Sequence, residues 1–463
     1  MRFNIREYLD SVKNKKITVL GIGISNTPLI QMLLRAGAKV SACDKRERED
    51  FDGRIEALES LGAVIHLGPD YLDYLDDQEV IFRTPGMRPD IPQLLAARDR
   101  GSILTSEMEV FFQVCPCPII GITGSDGKTT TTSIIAGILK EAGKTVYVGG
   151  NIGKPLLPEA EMMEPDDYAV VELSSFQLMT MDQSPHIAVV TNMAPNHLDV
   201  HTSMGEYIAS KENIYIHQVE GDRVVLNEDN DITRSFAMGA MDETVLFSRK
   251  RELGTPGVFL RDNTIWVCDE KGERAVLPRN GILLPGDHNV ENYMAAIGAL
   301  NGLVDDEFIR SFAASFQGVE HRIELVRTLN GVRYYNDSIA SSPTRTMAGL
   351  KCFPEKVILI AGGYDKHIPF ESLGSAIPKH VKLLVLTGDT SAMIRKAVEN
   401  APEYTKGNPV IEEYPQFEDA VMAAHKAARE GDVVLMSPAC ASFDRFRNFM
   451  ERGEAFKKII REL

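Results

Sequence analysis

Pro118-Ile119-Ile120-Gly121-Ile122-Thr123-Gly124-Ser125-Asp126-Gly127-Lys128-Thr129-Thr130-Thr131-Thr132 is the stretch whose reading decides the fold. Pro118 to Ile122 is a short apolar run rich in β-branched residues, which predicts a buried strand. Gly124 and Gly127 then permit a tight turn. Thr129 to Lys140 carries apolar residues at helical spacing. Strand, glycine turn and helix start together form an anion-binding device, because free amides and the positive helix end face the turn. Lys128 adds a cation suited to a β/γ-phosphate, and Thr129 a hydroxyl suited to Mg²⁺. The strict phosphate-loop pattern has Gly five residues before Gly127, where this chain has Ile122, so the loop is a variant flanked by Gly121 and Gly124. A glycine turn beside a solvated lysine is the competing reading. The coincidence of strand, Gly-Lys-Thr and helix argues against it.

Around that loop, 463 residues allow about three domains of ordinary size. A hydrophobic content of 44% and a charged content of 25% are those of a globular chain. No apolar run approaches the ~20 residues that cross a bilayer, and Met1 to Arg6 lacks the apolar core of a signal peptide. A cytoplasmic protein is expected. The six cysteines are scattered, with Cys115 and Cys117 the one close pair, so free thiols are expected rather than a zinc site. A net charge of −16 argues against nucleic acid and anionic membranes as partners.

The chain opens with a Rossmann-like unit. Lys16 to Leu20 reads as a strand, Gly21-Ile22-Gly23-Ile24-Ser25-Asn26 as its turn, and Ala38 to Cys43 as a second strand ending at Asp44. Asn26 stands where the dinucleotide fingerprint has its third Gly, while Asp44 lies where an acid meets a ribose or base. Thr84-Pro85-Gly86-Met87-Arg88-Pro89 follows a further strand, at the edge where such sheets bind ligands. A boundary is expected near Arg100 to Ser102.

In the second region, strands deliver three polar clusters to the edge that carries the phosphate loop. These are Gly149-Gly150-Asn151, Glu172-Leu173-Ser174-Ser175-Phe176-Gln177 and Asn192 to Asp199. Glu172 is the strongest Mg²⁺ candidate, since a carboxylate on a neighbouring strand commonly holds that ion. His197 and His201 lack the companions of a zinc hydrolase. His197 stays open between a structural histidine and a second metal ligand. A helix from Glu206 to Val219 contains Lys211, which by itself reads as a surface lysine. Residues 223 to 268 look β-rich, with a turn at Asp262-Asn263. Gly286 to Asn292 opens an Ala-rich helix whose His288, Asn289 and Asn292 suit capping or ligand contact. A third, Rossmann-like region starts near Gly318 and ends its last strand in Ser437 to Asp444.

These clusters, in this order over nearly the whole chain, resemble the Mur ligase family. The match rests on the Thr123–Thr130 loop, Glu172 to Gln177, Asn196-His197-Leu198-Asp199, the Gly286 to Asn292 helix start, His321-Arg322 and Asn336-Asp337-Ser338. The ending, Ser437 to Asp444 with Asn448-Phe449, resembles the D-glutamate-adding branch. The resemblance implies three α/β domains: a Rossmann-like UDP-binding domain over 1–102, a central phosphate-loop domain with a mostly parallel sheet and a small β-rich part over 103–318, and a Rossmann-like D-glutamate domain over 319–463. It implies ATP, two Mg²⁺ ions, and UDP-N-acetylmuramoyl-L-alanine and D-glutamate as substrates of a monomer. Ser125, Asp126, Gly127, Lys128, Thr129, Thr130, Thr131, Asn289, Asn292, Arg322 and Asp337 match nucleotide contacts. Thr129, Glu172, His197 and a carbamylated Lys211 match metal partners, with Lys128, His197 and Lys211 as the catalytic set. Ile24, Ser25, Asp44, Lys45, Gly86 and Asn151 match contacts to the UDP-substrate. Lys366, Ser442 and Phe449 match contacts to D-glutamate.

Three positions depart from the family pattern. Ile339 stands where a Lys often follows Asp-Ser, and Arg345 is expected to supply that charge. Lys45 replaces a small hydroxyl residue, and Asp126 replaces the commoner Asn. A folylpolyglutamate synthase relative would lack the Gly21 to Asp44 unit. A guanine-nucleotide switch would carry Asn-Lys-x-Asp, which is absent. An NAD oxidoreductase is disfavoured by Asn26 and by the second nucleotide loop.

Overall fold

The computed structural model describes residues 4–23, 26–51, 53–195, 201–241, 243–253, 257–365 and 368–463. Among these residues the chain forms three sheets. Ile24, Ser25, His197 and Lys366, together with the rest of 196–200, lie outside the described residues.

The first sheet holds β1 (Lys16–Leu20), β2 (Lys39–Asp44), β3 (Val64–Leu67), β4 (Val80–Phe82) and β5 (Ile103–Thr105). Its order is β3-β2-β1-β4-β5, all parallel. β5 carries this sheet three residues past the turn at Arg100 to Ser102. It is only partly buried, so its sequence shows little strand pattern.

The central sheet holds β6 (Ile119–Thr123), β7 (Val146–Gly150), β8 (Tyr168–Glu172), β9 (Ile187–Val190), β10 (Arg223–Asn227), β11 (Glu243–Ser248), β12 (Gly257–Arg261), β13 (Thr264–Asp269) and β14 (Gly272–Pro278). Its order is β14-β13-β12-β11-β10-β9-β6-β8-β7. Every residue of β6 is buried, as expected for an inner parallel strand covered on both faces. β12, β13 and β14 pair antiparallel. The β-rich part therefore extends the central sheet instead of standing apart from it. Asp262 and Asn263 both take positive φ at the β12–β13 hairpin, as a two-residue primed turn requires.

The third sheet holds β15 (Glu324–Leu329), β16 (Val332–Asn336), β17 (Val357–Ala361), β18 (Val381–Leu386), β19 (Val410–Glu413) and β20 (Val433–Met436). Its order is β15-β16-β20-β17-β18-β19, with only β15 antiparallel to its neighbour.

The chain divides into two compact units. One comprises residues 1–282 and 288–314, the other 283–287 and 315–463. The first unit contains two sheets because one apolar cluster joins them: Ile17, Val19 and Phe82 of the first sheet share it with Ile119, Ala169 and Val171 of the central one. No helix among the described residues is long and apolar enough to cross a membrane.

Candidate active site

β6 ends at Thr123 and the helix Lys128–Glu141 begins four residues after Gly124. Gly124 (φ 147°) and Gly127 (φ 80°) both sit in backbone regions that favour glycine. A Cβ on Gly124 would overlap Thr191 Oγ1, and one on Gly127 would overlap Asn292 Oδ1. The loop is braced from the end of β9. Thr191 Oγ1 donates to the Asp126 carbonyl at 2.6 Å, and the Asp126 amide donates to Asn192 Oδ1 at 2.9 Å. Ser125 Oγ donates to the Ala194 carbonyl and lies 3.0 Å from the Tyr207 hydroxyl. Lys128 Nζ donates to the Gly124 and Ser125 carbonyls at 2.9 and 3.0 Å. Asp126 is exposed, which keeps its carboxylate in water. Thr129, Thr130 and Thr131 are buried in the first turn of the helix. Asn292 Oδ1 accepts from Thr131 Oγ1 at 3.2 Å, and Asn292 Nδ2 donates to Asn289 Oδ1 at 3.1 Å. The Asp287–Leu300 helix thus reaches the loop through the side chains its sequence suggested.

Under the loop lies Lys211, at 1% exposure. Its helix runs Met204–Glu212, seven residues short of the expected end at Val219, because turns follow Asn213. Lys211 Nζ donates to Thr123 Oγ1 and to the Gly124 carbonyl, each at 2.9 Å. It sits 5.1 Å from the centre of the Tyr207 ring. Burial presses its pKa well below the ordinary lysine value. The Lys128 charge pushes the same way, and Glu172 opposes both. The surface lysine read from sequence is therefore a buried one. The signal present was Tyr207 four residues earlier, on the same helical face.

Glu172 ends β8 at 1% exposure. Its Oε1 accepts from Asn151 Nδ2 at 2.8 Å. Its Oε2 is buried with no hydrogen-bond partner among the described residues. An unpartnered buried carboxylate oxygen is costly unless something of positive charge meets it. The residues therefore fit a hard divalent cation, which takes oxygen ligands.

In the first sheet, Asp44 ends β2. Its Oδ2 accepts from the Ile22 amide at 2.7 Å and from Arg46 Nη2 at 2.9 Å. Burial pushes this carboxyl up, but Arg46 and the Ile22 amide outweigh burial and hold it below the usual range. Lys45 is exposed, so the cation that engages Asp44 is Arg46, which the sequence reading passed over. Gly86 lies exposed in the Thr84–Met87 turn. A cavity of about 200 Å³ opens beside this turn, with Asn26, Arg83, Thr84, Glu107, Asn151 and Gln177 in its wall. Burial pushes the Glu107 carboxyl up to about 7, against the Leu157 and Leu156 amides.

The second unit brings Arg322, Asp337, Ser442 and Phe449 to one sheet edge. Asp337 follows β16 and accepts from Ser437 Oγ at 2.7 Å. Burial pushes it up to about 7, while Ser437, the Ile323 amide, Arg322 and Arg345 pull it down. Arg345 Nη1 donates to the Ile339 carbonyl at 3.2 Å, at the backbone of the residue that lacks the family's Lys. Ser442 is buried, and Phe449 opens the last helix, capped by Asn448. Arg452, also missed in the sequence, donates to Ser338 Oγ and to the carbonyls of Ser338, Cys440 and Ala441 at 2.9–3.1 Å.

A phosphate loop over a buried lysine and carboxylate, with Rossmann-like sheets before and after it, defines a class. The description "Mur ligase MurD-like, N-terminal domain" fits residues 15–106, "Mur ligase middle domain" fits 122–300, and "Mur ligase, glutamate ligase domain" fits 321–440. The chain belongs to the Mur ligase family. Among its relatives, a UDP-N-acetylmuramoylalanine--D-glutamate ligase of Acetivibrio thermocellus is 51% identical over the full length of both chains. Proteins of the same name from Ruminiclostridium cellulolyticum and Clostridium kluyveri are 47% and 48% identical, also full length. Among solved structures, the UDP-N-acetylmuramate-alanine ligase MurC of Thermotoga maritima superposes with a TM-score of 0.58 at 20% identity, covering 96% of this chain and 99% of that one. A pseudomurein peptide ligase type C of Methanothermus fervidus gives 0.53 at 19%, covering 97% and 100%. These two likenesses concern the fold alone.

Proposed function

We propose that this enzyme joins D-glutamate to UDP-N-acetylmuramoyl-L-alanine in a cytoplasmic step of peptidoglycan precursor synthesis, cleaving ATP to ADP and phosphate. A carboxylate resists attack by an amine because it offers no adequate leaving group. Transfer of the γ-phosphoryl group to the alanyl carboxylate gives an acyl phosphate. The D-glutamate amine then attacks its carbonyl carbon, the C–O bond to phosphate breaks, the nitrogen loses a proton, and an amide remains.

The loop residues Ser125 to Thr131 bind the β/γ-phosphates, with Lys128 as their cation, and Asn289, Asn292, Arg322 and Asp337 serve the nucleotide. Thr129 and Glu172 hold one Mg²⁺; His197 and Lys211 serve a second. The ions, when bound, neutralise the converging phosphate and carboxylate charges. Lys211 fits the role of a carbamate. Its depressed pKa favours the neutral amine, which adds to CO₂ with formation of an N–C bond and loss of a proton, so a cation becomes an anion. Ile24, Ser25, Asp44, Lys45, Gly86 and Asn151 take the UDP-substrate, with Arg46 added as the partner of Asp44. Lys366, Ser442 and Phe449 take D-glutamate. We read the domains as bounded near 102 and near 318, the first keeping β5 (Ile103–Thr105) because it pairs in the first sheet, and the enzyme as a monomer free of membrane.

One observation carries the reading: a buried carboxylate oxygen with no partner among the described residues and a buried lysine, both beside a phosphate loop. The assay is phosphate release from ATP. It should require UDP-N-acetylmuramoyl-L-alanine and D-glutamate together and stop when Mg²⁺ is chelated. Release of phosphate at full rate with either substrate omitted refutes the assignment.

A further inference from the structure

The Thr84–Met87 turn is flanked by two arginines, and each reaches from the end of the first sheet's β4 to segments between the strands of the central sheet. Arg83 Nη2 donates to Thr180 Oγ1 at 2.9 Å, just beyond the segment that follows Glu172. Arg88 meets Glu206 fork to fork: Nη1 to Oε2 at 3.1 Å and Nη2 to Oε1 at 2.8 Å. Asp90 steadies the same guanidinium, with Nε to Oδ1 at 2.9 Å. Glu206 lies in the first turn of the Met204–Glu212 helix, whose last turn holds Lys211. Its Oε2 also accepts the Thr202 amide at 2.6 Å. The circuit closes behind the turn, because His201 Nε2 lies 2.9 Å from Ser175 Oγ and the His201 ring stacks on Phe176.

An ion pair this exposed, with side chains at 23% and 27%, adds little to stability. What a bidentate pair does add is orientation. A helix is stiff over its few turns, so a force at Glu206 rotates Lys211 with it.

We infer that Arg88 and Glu206 are positioning residues, which pass the seating of the UDP-substrate on the Thr84–Met87 turn to the helix that aims Lys211. This rests on the substrate reading given above. Neither residue needs to touch the reacting atoms.

The test uses the intact enzyme, with calorimetric titration of UDP-N-acetylmuramoyl-L-alanine for Kd and phosphate release for kcat. Arg88→Ala, Arg88→Lys and Glu206→Gln should each lower kcat about tenfold, since small misplacements near reacting groups are costly. Kd should stay within about threefold of the parent value. Arg88→Lys belongs in the set because lysine keeps the charge but loses the fork. The exchange Arg88→Glu with Glu206→Arg should recover most of the loss. If Arg88→Ala fails to fold, Glu206→Gln, which preserves size, decides. An unchanged kcat in Glu206→Gln overturns the inference, as does a loss that appears wholly in Kd. A parent enzyme that binds no UDP-N-acetylmuramoyl-L-alanine brings down the substrate reading itself, a result separable from either of those.

Discussion

Gly124→Ala is the sharpest perturbation of the phosphate loop. At φ 147° an L-residue is strained, which costs about 1–3 kcal/mol. The new methyl would overlap Thr191 Oγ1 and lie 3.2 Å from the Asn192 amide nitrogen and carbonyl oxygen. Thr191 cannot swing away freely, because its hydroxyl holds the Asp126 carbonyl at 2.6 Å and the Thr123 carbonyl at 3.3 Å. Overpacking of this kind adds about 1–3 kcal/mol. The sum, about 2–6 kcal/mol, is a large part of a domain's usual stability of 5–15 kcal/mol. Thermal unfolding followed by fluorescence should fall by roughly 5–20 °C. In the fraction that stays folded, kcat/KM for ATP should drop about a hundredfold, because the loop amides leave their positions. The double variant Gly124→Ala/Thr191→Ala separates the two causes. It removes the overlap but not the backbone strain, so it should regain about half of the lost stability. A Gly124→Ala enzyme with the parent melting temperature and an ATP kcat/KM within about twofold would falsify the account of the loop as a strained, close-packed cradle.

Two further outcomes follow from the charges. Burial raises the folded pKa of Glu107 to about 7, well above the ordinary carboxyl value of 4.5, so the folded state holds its proton over a pH range in which the unfolded chain has lost it. Its contribution to stability therefore falls as pH rises between those values, and Glu107→Gln should flatten the decline in melting temperature from pH 5.5 to 7.5; parallel curves for the two proteins would contradict this. Arg345→Ala should raise KM for ATP or for D-glutamate about fivefold, the effect of losing roughly 1 kcal/mol of charge contact near Asp337. Unchanged KM values for both would remove Arg345 as the substitute for the Lys absent at Ile339.

The phosphate loop was legible because its signal is local: strand, glycines, Gly-Lys-Thr and helix fall within fifteen residues, Pro118 to Thr132. Glu172 was legible for a similar reason, since it ends an apolar strand beside that loop. Lys211 was not: its hydrogen-bond partners Thr123 and Gly124 are 88 and 87 residues away, and its one local signal, Tyr207 one turn earlier, is weak. Asp44 could be read from its place after a strand, but not its pairing with Arg46, which depends on how the chain bends past the sheet edge. The edge strand β14 was missed because its mostly exposed residues alternate too weakly. The presence of the β-rich region was readable, but not its extent, since β14 (Gly272–Pro278) lies beyond residue 268. Its continuity with the central sheet was not, because no local pattern reports the parallel pairing of β11 with β12.

Buried charge alone does not mark function in this molecule, and the contrast among its buried ions says why. Arg83 and Arg452 are buried as deeply as many core residues, yet each spreads its donors over carbonyl and hydroxyl oxygens. Such a guanidinium is satisfied as it stands and serves as a brace. Glu172 and Lys211 are different. One keeps a carboxylate oxygen that nothing among the described residues meets. The other keeps an amine whose surroundings oppose its charge. A buried carboxylate oxygen that meets nothing and a desolvated amine each cost folding stability. Where local rules are broken without a compensating contact, the compensation comes from what the site binds. Here the two breaches adjoin the glycine loop at the start of the Lys128–Glu141 helix, and the cation proposed for Glu172 and the carbamate proposed at Lys211 would answer one each.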